Sequence, residues 1–388
     1  MPKIPTIADL EKKFLDASTA DDIGILSRVL TTPENQNPDK ILSAADVRHD
    51  TAVLARIFIN VWCAWPFLDQ MDKRHILHGL MNIYHNATDI RVSQYFEMLR
   101  PIIEKVPDKH LLLTLRNCNR LRTNGGHIHT DVGQNIVGCD NDMSLNWEDE
   151  DMDVSSIIKT ELRHDKIAVL GMRAMCRAVG FEHELQKAKE ILSKSDALII
   201  DLRGNFGGSD RYSSAFAAYL CGAKCRSCKK QYIRSTPDAR RIQSVFLDGA
   251  SWDKLNADTD PTVWQVFPNI SADLAKGYAK PIYILIDSYV ASSAEIFVLK
   301  MAHHPLVKFV GDNTSGCEEN GWVCNLFLPH SFIRVRPGQV HRELEYPHFE
   351  LHGFAPDIRV PDGMDALDMA IADYYNQNNL IKTKEHTK

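Results

Sequence analysis

The sequence lacks the features that would assign it to a membrane or to nucleic acid. No apolar run approaches the roughly 20 residues that a helix needs to cross a bilayer. The N-terminal stretch MPKIPTIADLEKKFLDAST becomes charged too early for the apolar segment of a signal peptide. The net charge is -6, so no basic excess favours a phosphate backbone. We therefore expect a cytoplasmic protein that has neither a membrane nor a nucleic acid as its partner.

The cysteines do not suggest a disulfide framework. There are nine, an odd number that cannot pair fully within one chain, and no secretory signal accompanies them. Cys221, Cys225 and Cys228 have the spacing C-x-x-x-C-x-x-C, but no fourth ligand follows at a spacing familiar for zinc. We interpret these three as structural or incidental thiols on an exposed, lysine-rich loop, with a metal site or a redox pair as the alternatives.

The first hundred or so residues are predicted to be helical. In DKRHILHGLMNIYHN the apolar positions fall on one helical face, and they are Ile76, Leu77, Leu80, Met81 and Tyr84. The stretch VSQYFEMLRPIIEKV repeats the pattern, with Pro101 expected to break or kink the helix. A chain of 388 residues is long enough for two or three domains.

The period changes from about Leu111 onward. Short apolar runs follow one another, namely LLLTL, KIAVLGM, ALIIDLR, PIYILID and VKFVGD, and helical stretches such as EHELQKAKEILSK separate several of them. Strands that alternate with helices indicate an α/β core with substantial parallel pairing. We predict a helical region over 1–107, an α/β domain over 108–378 and a polar tail over 379–388. The acidic segment GCDNDMSLNWEDEDMDVSS is interpreted as a solvated loop, not a cation site.

The segment DALIIDLRGNFGGSD joins a buried strand to a glycine-rich turn and a helix. Glycines allow left-handed torsions, and free amides at a helix N-terminus can hold a phosphate or a developing oxyanion. Neither the P-loop lysine spacing nor the dinucleotide pattern is present. The turn is therefore interpreted either as an oxyanion site or, more simply, as a tight turn without a ligand.

A second segment, ILIDSYVASSAEIF, places Ser292 and Ser293 between a strand and a helix. A serine on such a sharp turn presents its hydroxyl at the edge of the sheet, as in a nucleophile elbow. Ser292 with Glu295 three residues later is equally a capping box. Of the sixteen histidines, sequence proximity selects none as a base. His110 and Glu350, taken alone, fit ordinary surface or packed residues.

Three motifs in this order, LIIDLRGNFGG, SSAE and GFAPDIRV, resemble the serine peptidases of the C-terminal processing and tricorn family. The resemblance covers roughly residues 108 to 375 and implies an α/β core of the crotonase or ClpP kind with a mixed, largely parallel sheet. In that family the nucleophile lies three residues before the glutamate, which selects Ser292. The resemblance also implies an oxyanion hole formed by the amides of Ser293 and a glycine best matched by Gly207.

The resemblance implies a choice between two catalytic branches. The processing branch takes a lysine as base from Val-Gly-Glu-x-Thr-x-Gly-Lys, and here VGDNTSGCEENG places Cys317 at that position. The tricorn-like branch uses a histidine at the start of the core and a glutamate before Gly-x-x-Pro-Asp, which His110 and Glu350 match. His110 is then the general base, and Glu350 orients or polarises the site. Lys109 stands where tricorn-like enzymes often carry a hydroxyl residue.

These resemblances imply a serine peptidase that needs no metal or organic cofactor and acts on peptides or unfolded segments. The stretch from Leu111 to Asp165 is too short for a PDZ domain as well as the expected strand, so we expect none. Cys317 and Lys109 favour one alternative, a binding protein on the same scaffold like the family's retinoid-binding repeats. A small-molecule esterase or acyltransferase is the other, and assembly into a homo-oligomer stays open.

Overall fold

The structure is a computed structural model that describes residues 5–25, 36–115, 119–122, 158–163, 166–176, 181–246, 262–347 and 349–385. It divides into two compact units. The first comprises Met1–Asn146, Lys230–Val266 and Glu319–Glu343, and the second comprises Trp147–Lys229, Phe267–Glu318 and Leu344–Lys388. Both units draw on separated segments, so the boundaries at 107 and 378 stay predictions. The acidic segment 138–156 and most of the stretch where we expect no PDZ domain lie outside the described residues.

The elements alternate between helix and strand through much of the chain. The α-helices are α1 Ile7–Asp16, α2 Ala44–Arg56, α3 Gln70–His85, α4 Val92–Ile103, α5 Phe181–Lys194, α6 Asp210–Cys221, α7 Pro237–Phe246, α8 Ser293–Met301 and α9 Ala366–Glu385. The β-strands are β1 Gly24–Ile25, β2 Ile41–Leu42, β3 Ile90–Arg91, β4 Leu112–Leu115, β5 Asn119–Arg122, β6 Ile158–Arg163, β7 Ile167–Met172, β8 Ala197–Asp201, β9 Lys230–Arg234, β10 Thr262–Val266, β11 Ile282–Ile286, β12 Val307–Gly311, β13 Asn320–Val323, β14 Leu326–Phe327, β15 Arg334–Arg336, β16 Gly338–Glu343 and β17 Ile358–Arg359.

The first unit contains the predicted N-terminal helices. Capping boxes at Thr6 and Ser43 start α1 and α2, because their side chains accept amides that the first helical turn leaves unpaired. The predicted apolar stripe of α3 is buried, except that Tyr84 is only half-buried. Pro101 lies in the last turn of α4, which ends at Ile103. This unit also carries a five-stranded sheet in the order β1-β14-β15-β4-β5, a four-stranded sheet in the order β10-β9-β16-β13, and the β2-β3 pair.

The second unit contains a six-stranded sheet in the order β17-β12-β11-β8-β7-β6. Its pairs are parallel except that β6 runs antiparallel to β7 at one edge. Leu198 and Ile200 pack in one core with Phe297, while Ala197 and Ile199 pack in another with Ala370. Because both faces are covered, the strands read as continuous apolar runs in the sequence. The predicted α/β fold with a largely parallel sheet after N-terminal helices is confirmed.

Three loops lie at the same edge of this sheet. Strands β8, β11 and β12 are neighbours and run parallel, so their carboxyl ends lie side by side. Leu285 pairs with Asp201, and Ile286 pairs with Gly311. The segments that follow these strands are the DLRGNFGG turn, the SSAE segment and the NTSGC segment. Ligand and active sites of parallel α/β sheets form at such an edge.

The cysteine cluster is placed differently from the sequence-based expectation. Cys221, Cys225 and Cys228 are 0%, 3% and 3% exposed and belong to the core of the second unit. The prediction of an exposed loop is therefore wrong. Within the described ranges no group of three or more His, Cys, Asp and Glu side chains could hold a metal ion. No helix in those ranges is long and apolar enough to cross a membrane.

Candidate active site

Ser292 occupies a strained turn between β11 and α8. It is the N-cap residue of α8, with φ 53° and ψ -126°. This region is costly for any residue with a side chain, and such strain concentrates at functional sites. The strand–turn–helix arrangement is that of a nucleophile elbow, which presents the serine hydroxyl at the edge of the sheet. Glu295 occupies the N3 position of the capping box, so the same serine also begins the helix.

The Glu295 carboxylate holds this turn against the segment that follows β12. The side chain is completely buried, and its Oε2 accepts the N–H groups of Ser292 at 3.2 Å and Cys317 at 2.9 Å. Its Oε1 accepts the Thr314 hydroxyl at 2.6 Å and the Gly316 N–H at 2.7 Å. Burial raises the pKa of Glu295, while these four donors oppose that rise. One buried group therefore fixes two of the three loops.

Thr314 extends the connection to the GFAPD segment. Its Oγ1 accepts the Phe354 N–H at 2.7 Å, and its own N–H donates to the Phe354 carbonyl at 3.0 Å. A β-carbon on Gly316 would lie 2.4 Å from the Gly353 nitrogen, so the two segments touch through their backbones. Glu350 lies in this second segment and is 8% exposed. The structure thus brings the residue predicted to polarise the site into the neighbourhood of the elbow.

Cys317 fills the position where the processing branch has its lysine. Burial raises the pKa of its thiol well above the ordinary value, and the nearby charges of Glu295 and Glu350 raise it further. A hydrogen bond with the backbone of Ser292 lowers the pKa of the thiol in part. This bond places the thiol beside the candidate nucleophile. A thiol in this environment stays protonated at neutral pH, so it cannot serve as a base.

Gly207 brings the DLRGNFGG turn into contact with the elbow. With φ 100°, it lies so close that a β-carbon would meet the Ala291 carbonyl oxygen at 2.6 Å, the Ser293 nitrogen at 2.9 Å and the Ser292 β-carbon at 3.0 Å. The Ala291 N–H also donates to the Asn205 carbonyl at 3.1 Å. Only glycine fits here, because the position has neither the space nor the torsion for a side chain.

Two amides were predicted to form an oxyanion hole, and they differ in availability. The Gly207 N–H already donates to Asn205 Oδ1 at 2.9 Å, so an oxyanion would have to displace that bond. Ser293 N–H is the first amide of α8, which has no partner within a helix, and it donates to no acceptor in the part of the chain that is described. The Ser293 hydroxyl instead contacts Gly208 O at 2.7 Å and Asp210 Oδ1 at 2.8 Å. Ser293 is thus tied into the loop, and Ser292 is the candidate nucleophile.

His110 belongs to the first unit, where it lies between α4 and β4 and is half-buried. Its backbone N–H donates to Asp108 Oδ1 at 2.8 Å, and Leu111 N–H donates to the same atom at 3.2 Å. The other oxygen of Asp108 accepts Trp62 Nε1–H at 2.6 Å. Asp108 is completely buried, and burial raises its pKa to about 6. Within the second unit, the structure brings together Ser292, Ser293, Gly207 and the Glu350 segment.

The sequence did not identify Glu295, Thr314 and Asp108 as residues that support the site. The sequence marks Glu295 as a helix-capping residue and as the glutamate of the SSAE motif, but it does not indicate the bonds to Thr314, Gly316 and Cys317. Asp108 precedes His110 by two residues, a spacing at which a carboxylate often accepts nearby backbone amides. Thr314 matches the threonine of the pattern Val-Gly-Glu-x-Thr-x-Gly-Lys, but its partners Glu295 and Phe354 are too far away in the sequence to be identified from it.

Comparison with known proteins identifies a family and a related fold. The model of peptidase family S41 matches residues 166–360, just over half of the chain. A search of curated protein sequences finds no match. Among solved structures, the chain is similar to a candidate peptidase from Parabacteroides merdae ATCC 43184, with 20% identity, a TM-score of 0.55, and coverage of 85% of this chain and 96% of that one. This supports the same fold.

Two further structures are more distant. A lipoprotein from Streptococcus agalactiae has 14% identity and a TM-score of 0.44, with coverage of 85% of this chain and 96% of that chain. Mature CPAF complexed with lactacystin has 19% identity and a TM-score of 0.39, with coverage of 58% and 53%. At these TM-scores neither likeness carries an argument about the site.

Proposed function

The chain belongs to peptidase family S41, and on that premise we propose that it is a serine peptidase that cleaves peptides or unstructured polypeptide segments through an acyl-enzyme on Ser292. The observation that carries this proposal is the positive φ of Ser292 in a strand-to-helix turn against Gly207. A strained, packed turn of this kind costs stability, and it is retained where it presents a reactive group.

In the proposed reaction the Ser292 hydroxyl attacks the substrate carbonyl, and the Ser293 amide receives the developing oxyanion. A second donor comes from the glycine turn. One candidate is the Gly207 N–H, once it is released from Asn205. The other is the N–H of Gly208, a residue whose carbonyl accepts the Ser293 hydroxyl. Water then releases the acyl group. Glu350 acts by orienting or polarising groups in the site. This chemistry calls for no metal or organic cofactor.

The proposed general base is His110, which takes the proton from Ser292 and passes it to the leaving amine. Two observations support this choice. The thiol of Cys317 stays protonated, so the lysine position of the processing branch supplies no base. His110 occupies the place in the sequence where the tricorn-like branch carries its histidine, and Asp108 holds the backbone there by accepting the amides of His110 and Leu111.

Hydrolysis of an unfolded substrate tests the function. We expect the wild-type protein to release fluorescent peptides from heavily labelled casein, and Ser292→Ala to lose that activity by at least about 1000-fold. Ser244→Ala is a suitable control, because Ser244 lies on α7 of the first unit and its hydroxyl bonds to the Arg241 carbonyl. Equal casein cleavage by wild type and Ser292→Ala would overturn the proposal.

A binding protein on the same scaffold is the second candidate, and Cys317 at the lysine position is the observation that favours it. In that case Ser292 would react with no serine-directed probe. A small-molecule esterase would give a third pattern, in which Ser292 is labelled and short esters are cleaved while casein is left intact.

A further inference from the structure

Two aromatic residues lie on the two loops of the second unit that meet at the candidate nucleophile. Phe206 immediately precedes Gly207, and Tyr289 lies three residues before Ser292. The two rings pack edge to face, with centroids 5.9 Å apart and an interplanar angle of 82°. The side chain of Tyr289 is 49% exposed, and Phe206 is half-buried. The site therefore has an apolar surface in contact with solvent at its edge.

The loops that carry these rings are held together by hydrogen bonds. Tyr289 N–H donates to Asp287 Oδ1 at 3.0 Å, and the same carboxylate accepts the Gly204 N–H at 3.1 and 3.2 Å. The Ala291 N–H donates to the Asn205 carbonyl at 3.1 Å. The bonds from Gly204 to Asp287 and from Ala291 to Asn205 therefore join the two loops, and this limits the movement of the rings that the loops carry.

Packing of the core does not account for the exposed pair. In the same unit, Phe216 and Phe297 stack with centroids 5.2 Å apart, and Phe297 is completely buried. Phe206 and Tyr289 instead leave aromatic surface in water, and contact with an apolar group of another molecule would remove that surface from water at a gain in free energy. A rigid aromatic surface has little conformational entropy to lose when a ligand binds.

The position of the pair identifies what would cover it. A β-carbon on Gly207 would lie 3.0 Å from the β-carbon of Ser292, and Phe206 is the residue that precedes Gly207. Successive α-carbons of an extended peptide are about 3.8 Å apart. A substrate with its scissile carbonyl at Ser292 therefore places a side chain from beside the scissile bond within reach of the two rings.

We propose that Phe206 and Tyr289 form an apolar subsite that selects substrates with an aromatic or large aliphatic side chain next to the bond that is cleaved. The inference rests on the proposed function, since it assigns a substrate class to the same nucleophile. The rings offer an edge-to-face partner to an aromatic side chain and an apolar surface to an aliphatic one.

Two fluorophosphonate probes with the same reactive group test the subsite, one with a phenylpropyl arm and one with an ethyl arm. The measurement is the second-order rate constant for adduct formation on Ser292, followed by mass spectrometry. We expect the wild-type protein to prefer the phenylpropyl probe by about 10-fold or more, the scale of one apolar group in a pocket. Phe206→Ala and Tyr289→Ala should bring the ratio of the two rates close to one.

Two variants separate loss of the subsite from loss of the fold. Tyr289→Phe keeps the ring and should keep the preference. Tyr219→Ala removes a ring of matched exposure, 48%, from α6 of the same unit, and it should leave the ratio unchanged. An unchanged ratio in both Phe206→Ala and Tyr289→Ala would overturn the subsite while the proposed function stands. No adduct with either probe on the wild-type protein would overturn the proposed function and the subsite with it.

Discussion

Gly207 faces Ser292 so closely that a β-carbon added to the glycine would lie 3.0 Å from the β-carbon of the serine. The glycine-rich turn after β8 and the serine turn after β11 therefore form one continuous site. Both residues have positive φ, 100° at Gly207 and 53° at Ser292. Both positions with positive φ thus lie at the contact between the two turns.

Replacing Gly207 with alanine should inactivate the nucleophile. The new methyl group would collide with the Ala291 carbonyl at 2.6 Å and would require a torsion that alanine avoids. We expect adduct formation on Ser292 with a fluorophosphonate to slow by at least about 100-fold, as displacement of a reacting atom by an ångström does.

Gly204→Ala is the matched control for that variant. Gly204 also has positive φ, 76°, but a β-carbon there would meet nothing within 4 Å. Gly204→Ala introduces torsional strain but no collision, so it should lower the free energy of unfolding by about 1 kcal/mol. It should change the rate of adduct formation on Ser292 by no more than about threefold. Equal rates for Gly207→Ala and wild type would contradict the close packing of the two turns.

Glu295→Gln should destabilise the second unit and disturb the elbow together. The amide nitrogen of glutamine would face N–H and O–H donors where the carboxylate accepts four of them. Leaving buried donors without acceptors costs about 2–4 kcal/mol in the free energy of unfolding, which urea denaturation would measure. Glu343→Gln removes a half-exposed ion pair with Lys230 and serves as the control, with an expected cost of about 1 kcal/mol or less. Similar losses for both variants would refute a special role for Glu295.

Cys317→Ala should leave the reactivity of Ser292 within about threefold of wild type. The thiol is buried among carboxylates that raise its pKa, so it holds its proton and takes no part in proton transfer. Loss of a small buried side chain should lower stability by about 1–2 kcal/mol. Cys324→Ala, at a buried cysteine of the first unit, controls for that loss. A fall in the labelling rate of 100-fold or more in Cys317→Ala alone would show that the thiol takes part in the chemistry.

The buried Asp108 should make the stability of the first unit depend on pH. Its pKa rises from 3.8 to about 6 on folding, because burial disfavours the charged form. The folded state therefore binds more protons than the unfolded state between these values, and stability falls as the pH rises through that window. Two pKa units correspond to at most about 3 kcal/mol.

Asp108→Asn isolates this contribution, since an amide does not titrate. Other carboxylates titrate in the same range, so the quantity to follow is the difference in unfolding free energy between wild type and variant. We expect the unfolding free energy of the wild type, relative to that of the variant, to fall from pH 4 to pH 6 and to stay constant from pH 7 to pH 8. A difference that is flat or moves in favour of the wild type across the lower window would contradict the assignment.

Much of the fold could be predicted because the strands of the second unit are covered on both faces. β11 is apolar at every position, and β8 is apolar at every position before Asp201, where the strand ends; such a run predicts a buried parallel strand. The family resemblance then selected Ser292, which lies three residues before Glu295, and its backbone torsions are those of a sharp turn.

The supporting contacts could not be predicted, because they join residues that are distant in the sequence. Glu295 bonds to Thr314 and Gly316, about twenty positions away, and no local pattern indicates that pairing. The Gly207 amide was expected to be available, but Asn205 is close enough to accept it. The cysteine cluster was predicted to be exposed because lysines neighbour it, but Cys221 ends α6 and the loop that holds Cys225 and Cys228 has no periodic pattern from which burial could be predicted.

The central claim is that Ser292 is the nucleophile and His110 its base, and one measurement tests it most directly. The protein is treated with a fluorophosphonate, and the adduct is mapped by peptide mass spectrometry in wild type, Ser292→Ala and His110→Ala. The account predicts an adduct on Ser292 in the wild type, none in Ser292→Ala, and a rate reduced by at least about 1000-fold in His110→Ala. An adduct on Ser293 or on no serine at all would contradict the assignment of the nucleophile, and an undiminished rate in His110→Ala would contradict the assignment of the base.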